Sequence, residues 1–392
     1  MRWDLFCKVI DNHGDIGVCW RLARGLAARG HLVRLWVDDD RALRWMAPEV
    51  QADGLGHPGI EVRAWPAPQA SWPGDATPAE VVIEAFGCEL PEAFLALMQR
   101  PAPPRWVNLE YLSAQDYVER SHGLASPVFS GKGAGLKKRF FYPGFTPKTG
   151  GLLREPEAVS RNQTLNASDA ARQQALKACG VDWLPGQRVI TLFCYDHSPV
   201  QALLAQLSLS RRALAHPGGP PSDWLVLLTP GRATQQVQRL QAGGETWPGV
   251  RMHALPPLPQ PQFDALLASS DLNFVRGEDS AVQALWASRP HVWQIYRQDD
   301  GVHAEKLHAF MDKWMADWPP ALREVATRLW VQWNALPRLS DPQATVDLSA
   351  LSELVSPCLW DPWLAATHQS ASSLMRQSDL LTELLAFVTS PG

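Results

Sequence analysis

The chain has 392 residues, 46% of them hydrophobic and 19% charged, with a formal net charge of −4 at pH 7. That length suits two domains and a C-terminal extension in an ordinary globular protein. The acidic balance argues against nucleic acid as a partner, since Lys137-Lys138-Arg139 is the one tight basic cluster and reads as a solvated loop. The lack of any apolar run of about 20 residues argues against a membrane span.

In chain order, Leu5 to Ile10 is a short apolar run and predicts a buried strand. Ile16 to Arg29 places Ile16, Cys19, Ala23, Leu26 and Ala27 on one helical face and is closed by Gly30. Strands follow at His31 to Val37, Ile60 to Trp65, Val81 to Phe86 and Trp106 to Leu109, with a helix at Pro91 to Met98. From about Lys132 to Ala171 the pattern fades into Gly, Pro and Ser, as expected of a crossing between domains. Alternation then restarts. Strands are predicted at Val189 to Tyr195, Trp224 to Leu228, Val250 to Leu255, Leu272 to Val275 and His291 to Ile295. Helices are predicted between them at Val200 to Leu207, Ala233 to Leu240, Phe263 to Ala268 and Ser280 to Ser288. From about Ala304 the chain reads as helical, and Leu374, Leu380, Leu381, Leu384, Leu385 and Val388 mark a last amphipathic segment. The reading is α/β, with parallel sheets covered by helices and ligands at the carboxyl ends of the strands. It divides into residues 1–180, 181–365 and a C-terminal helix, 366–392.

Cysteine and histidine exclude several chemistries. The cysteines at 7, 19, 88, 179, 194 and 358 include no C-x-x-C pair, and the histidines fall at no ligand spacing, so no metal site is expected. Cys7, Cys19 and Cys194 lie in apolar runs and read as buried thiols. Asp4 stands where an export signal would be basic and then apolar, so the expected compartment is the cytoplasm.

Two turns carry the chemistry. The first, Asp11-Asn12-His13-Gly14-Asp15-Ile16-Gly17, joins the first strand to its helix, where a phosphate-binding loop would hold glycines and amides. Two carboxylates at that mouth repel a diphosphate and suit a cationic or hydroxyl-bearing substrate that must lose a proton. The plainer reading makes Asp15 a helix N-cap and Asp11 the acceptor of an Asx turn. Asp38-Asp39-Asp40 offers either a ribose-binding acid some 20 residues past the turn or a charge cluster at a helix start, and the second fits better without a full G-x-G-x-x-G.

The second turn, Arg276-Gly277-Glu278-Asp279-Ser280, ends a strand and opens a helix. It offers backbone N–H groups and a permanent cation to a diphosphate, with no need for a metal; the alternative is an ordinary helix cap with an Arg–Glu pair. Upstream, Leu255-Pro256-Pro257-Leu258-Pro259-Gln260, with Phe263, is either a stiff wall for a flat base or a buried Pro-rich connector. Phe193 and Tyr195 either stack on a base or sugar or fill the core. His303 either reaches the diphosphate or begins a helix.

Asp11-Asn12-His13-Gly14-Asp15-Ile16-Gly17-Val18-Cys19-Trp20, Asn108-Leu109-Glu110-Tyr111-Leu112-Ser113, Phe141-Tyr142-Pro143-Gly144-Phe145-Thr146, Thr149-Gly150-Gly151-Leu152-Leu153-Arg154-Glu155 and Arg276-Gly277-Glu278-Asp279-Ser280, in this order, resemble the protein-arginine rhamnosyltransferases of bacterial elongation factor P. The resemblance runs from residue 3 to beyond 310. It implies a GT-B glycosyltransferase of two Rossmann-like domains facing a central cleft, the last helix packing back on the first domain. It implies dTDP-β-L-rhamnose as co-substrate, no cofactor, elongation factor P as acceptor, and inversion to an α-rhamnosyl arginine. Carried over by position, Asp11, Asp15 and Glu278 are catalytic. Tyr195, Gln260, Arg276, Asp279 and Ser280 contact the nucleotide sugar, and Asn12, Gly14, Ile16, Gly17, Phe193, Leu255, Pro256, Leu258, Phe263 and Gly277 complete the candidate donor site. His13 and Pro257 depart from the family pattern, each standing where a Phe is expected. Two other readings remain: a non-catalytic nucleotide-sugar-binding protein, against which three carboxylates speak, and an NAD-dependent oxidoreductase, against which the acidic first turn speaks.

Overall fold

The computed structural model describes residues 1–9, 13–48, 57–66, 72–184, 186–210, 223–297, 301–336 and 346–390. The chain forms two compact units: Met1–Glu155 with Met375–Gly392, and Pro156–Leu374. The first contains β1 (Arg2–Cys7), α1 (Gly14–Ala28), β2 (Leu32–Val37), α2 (Leu43–Met46), β3 (Ile60–Ala64), β4 (Val81–Ala85), α3 (Glu92–Met98), β5 (Arg105–Leu109), α4 (Tyr117–Ser121), β6 (Ala125–Pro127) and β7 (Lys137–Phe141).

Its sheet runs β3-β2-β1-β4-β5-β7-β6, parallel except where β6 pairs with β7. The expected strands and helices are present with ends shifted by a few residues. The basic cluster is the exception to its sequence reading: Lys137-Lys138-Arg139 is the start of β7 and not a loop. Two carboxylates in the buried strands explain part of this. Glu84 in β4 is about 1% exposed and accepts from Trp106 Nε1 at 3.1 Å and Lys138 Nζ at 3.2 Å. Asp4 in β1, fully buried, accepts from Arg34 Nε at 2.7 Å, Trp36 Nε1 at 3.0 Å and the Ala79 N–H at 2.8 Å. A buried carboxylate is tolerated when its oxygens are filled in this way. Pairing with Glu84 thus draws Lys138 into the sheet, although the run is basic.

The second unit contains α5 (Pro156–Ala167), α6 (Asp169–Ala178), β8 (Arg188–Leu192), α7 (Val200–Ser210), β9 (Trp224–Leu228), α8 (Arg232–Ala242), β10 (Val250–Ala254), α9 (Gln260–Ser269), β11 (Leu272–Arg276), α10 (Glu278–Ala287), β12 (His291–Gln294), α11 (Val302–Trp314), α12 (Pro320–Trp333), α13 (Ser349–Leu354) and α14 (Trp360–Met375). Its five strands are all parallel in the order β10-β9-β8-β11-β12. The unit starts at Pro156 and not at residue 181, because α5 and α6 pack against α9. Their apolar content is too sparse to show in the sequence: α5 buries only Ala158, Asn162 and Leu165.

The expected single C-terminal helix is two. The body of α14 belongs to the second unit, whereas α15 (Leu380–Thr389) belongs to the first. There Leu380, Leu381, Leu384 and Val388 join a core with Trp3, Leu5, Cys19, Leu22 and Leu26. Gly25 permits the close approach of α15 to α1, since a Cβ at that position would fall 2.2 Å from Leu381 Cδ1. A bridge between Leu152 and Asp379 and two bonds from Arg154, to the Met375 and Gln377 carbonyls, fix the returning chain.

Leu384 is fully buried, so Leu384→Ala should cost about 2–5 kcal/mol of stability in a denaturant melt; Leu385→Ala, on the half-buried side, should cost less. Five cysteines are buried and Cys358 is exposed. Burial pushes the Cys179 and Cys194 thiols up to about 11 and raises Cys88 further. A disulfide reagent at pH 8 should therefore titrate one fast thiol in the folded protein and six after denaturation, and Cys358→Ser should remove the fast one.

Candidate active site

In each unit the first strand lies inside the sheet and the strand order reverses beside it, between β1 and β4 and between β8 and β11. Loops leaving the carboxyl ends of two such strands diverge and leave a crevice, which is where open parallel sheets bind ligands. The two turns singled out in the sequence follow β1 and β11.

In the first unit, Asp11 and Asn12 lie outside the described residues. Asp15 is the second residue of α1 and about 3% exposed. The N-cap position belongs to His13, whose side chain makes no capping bond, so the N-cap reading of Asp15 does not hold. Its carboxylate instead sits buried in the first turn of the helix. It is near the Cys7 thiol, which a hydrogen bond with Cys19, burial and then the charge of Asp15 hold well above the usual thiol range. Gly14 is half-buried; Ile16 is fully buried in the core and Gly17 is buried. The His13 ring packs edge-on against Trp45 at 5.4 Å. The aspartates after β2 form the charge cluster: Asp38 accepts from the Val9 N–H at 2.9 Å, Asp39 is held down at about 2 by Arg41, and Asp40 pairs with Arg44.

In the second unit, Arg276 ends β11 and its guanidinium lies 4.6 Å from the Phe193 ring and 4.5 Å from the Tyr195 ring, both just beyond β8. Two aromatic faces hold the cation by its charge and leave its N–H groups available in the ring plane. Arg276 Nε is buried without a hydrogen-bond partner among the described residues. Gly277 then takes φ 70°, a left-handed value that favours glycine, and serves as N-cap of α10 without a capping side chain. The leading N–H groups of an α-helix have no intrahelical acceptor, so Glu278, Asp279 and Ser280 form a turn suited to an anion.

Around this turn, Gln260 is the first residue of α9 and donates from Nε2 to Asp279 Oδ2 at 3.4 Å. Leu255 and Leu258 are buried in a core cluster with Phe263 against it, while Pro256 and Pro257 are exposed. The edge of Phe263 meets Phe193 at 5.8 Å. His303 lies in the first turn of α11; the His197 ring, whose pKa burial lowers, stacks on Tyr195 at 5.8 Å. Glu278 Oε1 accepts from Lys306 Nζ at 2.7 Å.

Three residues of this half escaped the sequence reading. The fully buried Gln294 accepts from the Tyr195 N–H and from Ser198 Oγ, each at 2.8 Å, and Gln236 donates to the Tyr195 carbonyl at 2.9 Å. They hold the Tyr195 backbone, which keeps its ring against Arg276. Lys306 is the third. Each comes from a different element, and no local motif marks them. Among the described residues, no group of three or more His, Cys, Asp or Glu side chains is placed to hold a metal ion, and no helix is long and apolar enough to cross a membrane.

Residues 3–389 match the family described as Elongation-Factor P (EF-P) rhamnosyltransferase EarP. The chain belongs to this family. Among its relatives, the protein-arginine rhamnosyltransferase of Pseudomonas aeruginosa is 42% identical over 85% of this chain and 87% of its own length. That of Pseudomonas putida is 44% identical over 85% and 86%. The structure solved as the basis for EarP-mediated arginine glycosylation of translation elongation factor EF-P matches 99% of this chain and 98% of that one, with a TM-score of 0.63 and 28% identity. The structure of TcCGT1 in complex with UDP shares the fold at a TM-score of 0.53 and 12% identity, over 99% of this chain and 98% of its own. This family member is thus a glycosyltransferase of the GT-B class, and the glycosyltransferase reading of its sequence prevails over the oxidoreductase and the non-catalytic binder.

Proposed function

We propose that this protein moves L-rhamnose from dTDP-β-L-rhamnose to an arginine of elongation factor P in the cytoplasm, inverting the anomeric carbon. The observation that carries the donor half is Arg276, held between two aromatic rings at the mouth of α10 with its Nε buried and unpartnered. A diphosphate is the complementary ligand: it takes the guanidinium in a fork and the helix N–H groups at its remaining oxygens. As the sugar–oxygen bond breaks, its electron pair goes to the departing diphosphate, where Arg276 and the helix terminus stabilise the charge. Gln260 and Asp279 form a polar edge beside it, with Ser280 next along the helix.

The acceptor half rests on the carboxylates. A guanidinium stays protonated up to a pKa of roughly 12.5–13.8 and is a poor nucleophile until it loses a proton. Asp15, buried in the first turn of α1, is the general base and Asp11 orients the guanidinium, with Glu278 as the third catalytic carboxylate that the family resemblance implies. The nitrogen forms its bond to the anomeric carbon as its proton passes to Asp15. The sugar enters and one proton leaves, so the glycosylated arginine keeps its charge.

Intact-mass measurement of elongation factor P after incubation with dTDP-rhamnose should show a gain of one deoxyhexose, and an unmodified mass would refute the reading. In the same assay Asp15→Asn and Glu278→Gln should each lower the rate, Asp15→Asn by about 10²–10⁴. For the donor, Arg276→Ala should weaken dTDP binding about 10- to 150-fold in calorimetry, the equivalent of one or two charged hydrogen bonds.

A further inference from the structure

At the amino ends of its strands, the second unit gathers three arginines around one aspartate. Arg172 comes from α6, Arg188 opens β8, Arg289 precedes β12 and Asp271 precedes β11. Arg172 is satisfied: its Nη2 donates to Asp271 Oδ2 and its Nε to the Ser269 carbonyl at 2.6 Å. Asp271 Oδ2 also accepts the Val189 N–H at 2.7 Å. Arg188 is different. Its Nη1 stands 3.9 Å from Asp271 Oδ1, beyond hydrogen-bond reach. Its guanidinium lies 4.4 Å from the Trp360 ring, and its side chain makes no hydrogen bond among the described residues. Arg289 gives Nε to the Ala268 carbonyl at 3.4 Å, and neither of its Nη groups has a hydrogen-bond partner among the described residues. Burial, and then the charges of Arg172 and Arg188, hold the Arg289 guanidinium below its usual range, although Asp271 and the exposed Asp169 pull the other way. The same field reaches His368 on α14, which burial and then the charge of Arg289 lower.

We propose that Arg188 and Arg289 form a second anion site in this unit, apart from the Arg276 turn, for phosphate or a phosphate monoester. Arginine stays charged at neutral pH, so like charges are held together in partly buried positions, where they repel. An anion between them removes that repulsion. Two planar forks suit a tetrahedral oxyanion, which offers oxygens to both; chloride offers no such set of acceptors. At Arg188 an aromatic face holds the cation and leaves its N–H groups open, the same device that holds Arg276. Arg172, already bonded, adds charge alone. Asp271 precedes β11 and Arg276 ends it. A strand of that length spans about 16 Å, too far for one phosphate to touch both places.

The test is calorimetry of inorganic phosphate with the full chain, at constant ionic strength balanced by sodium chloride. Phosphate should bind while dTDP saturates the donor turn, and should bind equally well to Arg276→Ala without dTDP. Arg289→Gln should weaken it roughly 10- to 150-fold, the equivalent of one or two charged hydrogen bonds. The same variant should bind dTDP as the unmodified chain does, which also reports that it is folded. Arg188→Gln makes the comparison independently, should Arg289→Gln not fold. Glycerol phosphate separates the two sources of the anion. Binding at least as tight as that of inorganic phosphate assigns the site to a phosphate monoester; binding of inorganic phosphate alone assigns it to the free ion. Three results would overturn the proposal: no phosphate bound beside dTDP, phosphate binding lost in Arg276→Ala, or full affinity in the folded Arg289→Gln and Arg188→Gln variants. So would competition by chloride as strong as by phosphate, which would make the cluster an ordinary counter-ion cloud.

Discussion

The two candidate turns of this protein lie where a parallel sheet reverses its strand order. Parallel strands need long crossovers, and helices on both faces bury them, so the sheet edge at the carboxyl ends is where side chains can meet a ligand. The chain builds that edge twice, from β1 and β4 and again from β8 and β11. In the first it places Asp15, in the second an arginine and an uncapped helix. The same backbone solution thus presents opposite charges in the two units.

In the second unit the arrangement is a chain of dependence. Gln294 and Gln236 hold the Tyr195 backbone, Tyr195 and Phe193 hold the Arg276 guanidinium, and Gly277 turns the chain so that α10 starts beside it. The aromatic pair holds the cation without taking its hydrogen bonds, which a carboxylate in the same place would take. In the first unit the comparable device is burial. Asp15 is buried in the first turn of α1, near the Cys7 thiol, and the helix itself rests on α15, the last element of the chain.

Strand and helix order was legible because buried parallel strands are short apolar runs and their helices have one apolar face. Lys137-Lys138-Arg139 was not, because its place in the sheet depends on pairing with a carboxylate 54 residues away. Helices α5 and α6 were not, because they bury few apolar side chains and hold to α9 through the Arg161–Asp264 ion pair and the bond from Arg172 to the Ser269 carbonyl as well as through Leu176, which clusters with Leu266. The turn Arg276-Gly277-Glu278 was legible as a strand-to-helix junction because a strand, a glycine and a helix follow at once. The sequence offered Phe193 and Tyr195 as stacking rings, and the fold turns them on the arginine.

The sequence by itself determined the α/β alternation, the two chemically opposite turns, and through the order of its motifs the family, since all of these are properties of neighbouring residues. Only the tertiary structure decided that His13 and not Asp15 occupies the N-cap, that the chain divides at Glu155, and that its last helix returns to the first unit. Only the tertiary structure, too, paired Glu278 with Lys306. These depend on packing and charge between segments tens to hundreds of residues apart, which no local pattern encodes.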